Sequence, residues 1–237
     1  MGTFEVEVDV RVEPERIWRA LTEPDPIAQW FGWDAETLAE EIRFIFFEHA
    51  EPDAARFRLE FDGPGEQYLE TAVSGGNSVV RAVNRGDGPG GQPGGASAET
   101  DAGEAEAGGS DAIEQGWIAF LHQLKRYVES HSSDPRRTLY LTGAGPAGEI
   151  ATAVDRRLPG DLWFSGTYTR VYGTGDFGPG LGVLYTSAPL GSEDEEGATL
   201  TLSTWGLSDS DFFELTSDWL GWWQGLVEGG EAVVHPA

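Results

Sequence analysis

The chain has 237 residues, 41 Asp plus Glu against 15 Lys plus Arg, no Cys, and a net charge of −26. The length suits one large domain or two smaller ones. The missing Cys excludes disulfides, thiolate metal sites and thiol nucleophiles, and the acidic surplus repels phosphate backbones and anionic membranes.

With 39% hydrophobic residues, nine Trp and twelve Phe, the chain has apolar surface enough for a substantial core. It opens without a basic n-region and holds no run of about 18 apolar residues. The composition therefore predicts a soluble cytoplasmic protein with no nucleic-acid or membrane partner.

Phe4 to Val12 alternates apolar and charged residues, the period of a strand with one wet face. Pro14 opens a helix with apolar Ile17, Trp18 and Leu21, ended by Thr22 and Pro24. A helical turn over Pro26 to Trp30 follows, then Glu36 to Phe47 with Leu38, Ile42, Ile45 and Phe46 at helical spacing. Ala55 to Phe61, Gln67 to Val73 and Ser78 to Val83 read as strands separated by Gly-containing turns. Gly86 to Asp111 holds nine Gly, two Pro, six acids and no aromatic residue, which predicts a disordered insertion. Ile113, Trp117, Phe120, Leu121, Leu124 and Val128 then form the stripe of one long amphipathic helix.

A break at Ser130 to Arg137 predicts two domains, 1–133 and 136–237. The second repeats the first: a strand at Thr138 to Thr142, a helix at Ala147 to Leu158, strands at Leu162 to Tyr172, Leu181 to Ala188 and Ala198 to Trp205, and a closing helix at Asp209 to Val227. At an offset of 102 residues Trp117 matches Trp219, and Ile118, Phe120, Leu121 and Leu124 match Leu220, Trp222, Trp223 and Leu226. These matches suggest a duplicated unit.

The run Val12-Glu-Pro-Glu-Arg-Ile-Trp-Arg-Ala-Leu-Thr-Glu-Pro24, then Ile27-Ala-Gln-Trp-Phe31, and later Glu114-Gln-Gly-Trp-Ile-Ala-Phe-Leu-His-Gln-Leu124 resemble the START-like superfamily (SRPBCC). Within it they are most similar to the branch related to activators of the heat-shock-protein-90 ATPase. The resemblance covers Met1 to about Ser130. It implies an α+β helix-grip fold, an antiparallel sheet around a long carboxy-terminal helix, often with an apolar cavity between them. The second half would be a shortened copy.

Trp30, Phe31, Phe44, Phe47, Trp117, Phe120, Leu121 and Leu124 are the candidates to line such a cavity, or equally to fill a solid core. The expected function is non-enzymatic binding of a small apolar ligand or a protein partner. The resemblance adds a co-chaperone-like ATPase activator and a cyclase- or hydrolase-like enzyme as alternatives.

Gly143-Ala-Gly145-Pro-Ala-Gly148 matches the glycine spacing of a dinucleotide-binding turn. No acidic residue stands on the next strand, and the strands lack crossover helices, so the glycines read as a plain strand-to-helix turn. The four His show no metal-ligand spacing, and Glu193-Asp-Glu-Glu196 lacks the alternating ligands of a calcium loop. No catalytic set, metal or cofactor is expected.

Overall fold

The computed structural model describes residues 3–63, 65–86, 109–130, 134–158, 160–175 and 180–234. Most of the predicted insertion, 87–108, lies outside the described residues. The chain divides into two compact units, Met1–His131 and Ser132–Ala237.

In the first unit, β1 (Phe4–Val10) leads to α1 (Pro14–Thr22) and the short α2 (Pro24–Ile27). Pro14 sits at the first helical position, where its missing N–H costs nothing, and Ile17, Ala20 and Leu21 are buried. The Trp30 indole donates to the Ala20 carbonyl at 2.7 Å, which is the physical reason for the tryptophan that follows the helix. Glu36 to Phe47 reads as one helix, but the structure has α3 (Leu38–Arg43) running into a π-helical turn, Phe44–Glu48.

Only Arg58 to Phe61 of the predicted strand Ala55 to Phe61 is extended, as β3 (Arg58–Phe61) in a hairpin with β2 (Ala50–Asp53), and Ala55 to Phe57 lie in the turn of that hairpin. Its turn is closed by Asp53, whose carboxylate accepts from the Ala55 amide at 3.0 Å and whose carbonyl accepts from the Arg56 amide. Phe57 adopts a left-handed backbone, φ 51. β4 (Glu66–Ser74), β5 (Asn77–Arg85) and α4 (Gly109–Ser130) complete the unit. The helix begins inside the stretch read as loop, since Gly109 to Asp111 are helical.

The sheet order is β1-β5-β4-β3-β2, all antiparallel. Its wet face is a ladder of ion pairs: Arg81 reaches Glu7 at 2.6 Å, Arg85 reaches Glu5 at 3.2 Å and Arg58 reaches Glu60 at 3.0 Å. The other face carries Phe4, Val6, Val8 and Val10, all buried. Facing rows of opposite character fix the register, because a slip of one residue would bury the charges.

The second unit repeats this plan. It runs β6 (Arg136–Pro146), α5 (Ala147–Arg157), β7 (Asp161–Ser165), β8 (Thr169–Thr174), β9 (Gly180–Thr186), β10 (Glu195–Trp205) and α6 (Asp209–Gln224). The order β6-β10-β9-β8-β7 matches that of the first sheet, with β11 (Glu228–Val233) added beyond β6. The predicted strand Leu162 to Tyr172 is the hairpin β7–β8, turned where the Gly166 amide donates to the Thr169 carbonyl at 2.8 Å.

Ser208 caps α6, accepting from the Asp211 amide at 3.2 Å. Leu139, Leu141, Leu200 and Leu202 meet Ile150 and Val154 of α5 and Trp219 and Trp223 of α6 in one buried cluster. The fold is α+β with two tandem helix-grip units, as the sequence predicts, although each has four strands rather than three between its first helical segment and its closing helix.

Candidate functional site

The interior of the first grip is built from three rows of inward residues under α4. Phe4 pairs with Asn84, and Asn84 with Gln67; Val6 pairs with Ala82, and Ala82 with Leu69; Val8 pairs with Val80, and Val80 with Thr71. Across the first two rows lies an aromatic circuit. Ring centroids run from Phe31 to Phe46 at 4.9 Å, Phe46 to Phe61 at 5.9 Å, Phe61 to Trp117 at 6.3 Å, Trp117 to Phe120 at 6.0 Å and Phe120 back to Phe31 at 4.9 Å. Trp30 joins through edge contacts to Phe31 and Phe46. Most of these pairs meet edge to face, the arrangement that ring quadrupoles favour.

Of the eight candidates, Trp30, Phe31, Trp117 and Phe120 therefore come together, and Leu121 and Leu124 are fully buried on the same helix. Phe44 and Phe47 do not belong with them. They are 52% and 44% exposed, because the π-helical turn sends Ile45 and Phe46 inward instead. Phe44 stacks on His49 at 4.3 Å.

Among the described residues, pockets touch the circuit at two places. One is lined by Phe4, Phe61, Gln67, Asn84, Ile113 and Trp117 among others, and the second lies around Phe31, Trp33 and Phe120. Each holds about 10 Å³, room for one water-sized group.

The sequence reading missed the polar members of this interior. Gln67 and Asn84 are each 8% exposed and neighbours across β4 and β5. Asn84 Oδ1 accepts from the Gly86 amide at 3.3 Å. Thr71 is buried, and its Oγ1 has no hydrogen-bond partner. The available signal was phase: all three occupy positions whose strand neighbours two residues away are apolar.

No protein-family model matches the chain, and no curated protein does. Among solved structures it is similar to the di-domain ARO/CYC BexL from the BE-7585A biosynthetic pathway, at 15% identity and a TM-score of 0.36 over 95% of this chain and 96% of that one. The di-domain ARO/CYC StfQ from the steffimycin biosynthetic pathway gives 10% and 0.36 over 92% of both chains. DynU16 from the dynemicin biosynthetic locus gives 16% and 0.35 over 92% of this chain and 94% of that one. Likenesses of this size carry no argument about activity.

The far end of α4 is tied to the edge of β1. Glu129 accepts from the Arg11 amide at 2.8 Å and from its guanidinium at 3.1 Å, while Lys125, the single lysine of the chain, donates to the Asp9 carbonyl at 2.6 Å and to Glu129 at 3.2 Å. Burial works against the Glu129 carboxylate, but the bonds from Arg11 and Lys125 outweigh it and hold its carboxyl below the usual range.

Just before these anchors on α4, His122 is buried, with Nδ1 donating to the Ile118 carbonyl at 2.7 Å. Burial, only partly offset by that bond, lowers its pKa to about 4 from 6.5. The folded chain keeps the ring neutral while the unfolded chain protonates it near 6.5. Its contribution to stability is thus full above that value and is lost as the pH falls toward 4. Between pH 7 and pH 5 the loss is about 2 kcal/mol. Urea titrations should show His122→Asn, which can keep a donor toward Ile118, losing less stability than the wild type over that interval; parallel losses would sink the assignment.

In the second unit the glycine motif is not a phosphate turn. Gly143 and Gly145 lie within β6, which runs unbroken to Pro146, and Gly148 is already in α5. The strand-to-helix turn expected there is absent for the same reason. The amides of Ala147 and Gly148, which a pyrophosphate would need, donate to the carbonyls of Asp194 at 3.2 Å and Ser192 at 2.9 Å.

Packing accounts for the glycines: a Cβ on Gly143 would stand 2.2 Å from Val227 Cγ2, and one on Gly145 an ordinary 3.4 Å from Ile150 Cδ1. Gly143→Ala should therefore cost about 1 to 3 kcal/mol by overpacking, and Gly145→Ala less than about 1 kcal/mol. Chemical denaturation of the two variants tests this order, and equal costs would contradict it.

Glu193 and Asp194 lie in the loop before β10, and Glu195 and Glu196 begin the strand. Among the described residues no group of three or more His, Asp and Glu could hold a metal ion, and no helix is long and apolar enough to cross a membrane.

Proposed function

We propose that the first unit is a non-catalytic binding domain that grips a small, largely apolar molecule carrying a hydrogen-bonding group between its sheet and α4. The observation that supports this reading is the buried amide pair Gln67 and Asn84, set in a row with Phe4 and walled by Phe61, Ile113 and Trp117. A buried side-chain amide is costly in a wall whose only purpose is packing. A few polar groups converging in an apolar lining are what orient a ligand. The pocket is water-sized as it stands, so a ligand larger than that requires its lining to move, with Ile113 and Trp117 on the α4 side.

Native mass spectrometry of the purified chain tests the reading. A co-purified mass that disappears in Gln67→Leu/Asn84→Leu, while the fold is retained, supports it. No bound mass, together with a pull-down that returns a chaperone, would replace it with the co-chaperone reading. Release of a dehydrated or hydrolysed form of the bound molecule would replace it with the cyclase- or hydrolase-like one.

A further inference from the structure

The second unit has on its surface a groove of about 780 Å³, a size that small-molecule sites share. One wall is the face of α5 that carries Glu149, Thr152, Ala153 and Arg156. These residues are spaced at i, i+3, i+4 and i+7, so they project from one side of the helix. Glu193 and Leu226 stand among the residues that line the rest.

The charges of the groove are separated. The loop before β10 is fastened to the first turn of α5, where the amides of Ala147 and Gly148 donate to the carbonyls of Asp194 at 3.2 Å and Ser192 at 2.9 Å. Glu193 lies between those two carbonyls in the chain and so shares that end of the groove with Glu149. Arg156 stands two turns along the helix, about 10 Å away at a rise of about 1.5 Å per residue. Its neighbour Arg157 pairs with Asp218 at 2.5 Å, and Arg170 pairs with Asp155. Among the described residues no ion pair ties Glu149, Glu193 or Arg156. Between the charged ends, Thr152 Oγ1 donates to the Gly148 carbonyl at 2.8 Å, which leaves the lone pairs of the hydroxyl to accept from a ligand. Ala153 and Leu226 supply apolar surface.

We propose that this groove binds a short extended peptide with free ends, its ammonium at Glu149 and Glu193, its carboxylate on Arg156 and a peptide N–H on Thr152 Oγ1. Length and charge both select it. About three extended residues, at about 3.3 Å each, span the roughly 10 Å between the charged ends. The net charge of −26 disfavours a simple anion, and Arg156 disfavours a polyamine, whereas a zwitterion satisfies both ends. This site shares no residue with the pocket of the first unit, so either can fail without the other.

The test is an NMR titration of the full chain with trialanine, followed through the backbone amide resonances of Gly148, Ala153 and Gly191, which line the groove. A saturable shift is expected, with affinity weakened about tenfold in Arg156→Gln and about tenfold in Glu149→Gln, each of which removes a charge-assisted contact. Both side chains are exposed, so the variants fold. Blocked ligands separate the two ends. Trialanine amide, which lacks the carboxylate, should bind the wild type and Arg156→Gln equally, and N-acetyl-trialanine should bind the wild type and Glu149→Gln equally. ω-Aminooctanoate, of similar span but without a peptide bond, should bind more weakly than trialanine. No saturable shift, a full loss on the amide in Arg156→Gln, or equal affinity for ω-aminooctanoate overturns the proposal.

Discussion

Trp117→Ala should cost the first unit about 3 to 5 kcal/mol, a large share of the roughly 5 to 15 kcal/mol that holds a domain together. Trp117 is 4% exposed, and its ring bridges Phe61 on the sheet and Phe120 one turn along α4. Truncating it removes the link between sheet and closing helix and opens the aromatic circuit at two joints. Surrounding rings fixed by their own contacts cannot collapse into the gap, which puts the cost toward the upper end.

Phe44→Ala is the control. Sequence alone gives Phe44 equal standing, yet about half of it is in water, so its loss should cost no more than about 1 kcal/mol. Urea denaturation followed by circular dichroism, with hydrogen exchange of the β1 and β5 amides, reports on this unit. A cost for Trp117→Ala no greater than for Phe44→Ala would mean that the circuit does not hold the grip.

How far the sequence could be read follows from how each element is stabilised. β1, α1 and α4 are legible because each buries one face in a single phase, and that phase is written in their own residues. β2 is not, since Ala-Glu-Pro-Asp has no apolar phase and is a strand only because β3 pairs with it. β11 is hidden for a similar reason. Its sequence Glu-Gly-Gly-Glu-Ala-Val is a poor strand, and it is held by pairing to β6 and by Val227, which fits where Gly143 has no side chain.

β7 and β8 look like one strand because their turn, Gly166 to Tyr168, carries few of the usual turn residues. At the site, the aromatic members were legible as a helical stripe and a Trp-Phe pair. Gln67 and Asn84 were not, because a polar residue in an inward phase looks like an interruption until the facing helix is in place. Whether rings enclose a pocket or fill a core depends on side-chain angles that composition does not encode.

The two edges at the start of each sheet show how the duplicated plan has diverged. In the first unit the β1 edge is met by Lys125 and Glu129 of the closing helix. In the second the equivalent edge of β6 is covered by β11. β11 does not cover it evenly, for its register shifts between Glu228 and Glu231, opposite Ala144 and Thr142. At that level the Trp223 indole donates to the Thr142 carbonyl at 2.9 Å.

Trp223 is the counterpart of Leu121 at the 102-residue offset, and both are completely buried. The larger residue in the second unit thus fills the core and also bonds the Thr142 carbonyl, beside the irregularity in the β11 pairing. Trp223→Ala should cost about 3 to 5 kcal/mol through the lost volume, plus about 1 to 3 kcal/mol for the stripped carbonyl.

Trp223→Leu separates the two contributions, because leucine restores the residue type of the first unit and part of the volume but not the bond. It should recover part of the loss in urea denaturation and leave the amides of β11 exchanging faster than in the wild type. Full recovery of both stability and protection would mean that the indole bond contributes nothing and that β11 is held by its own pairing alone.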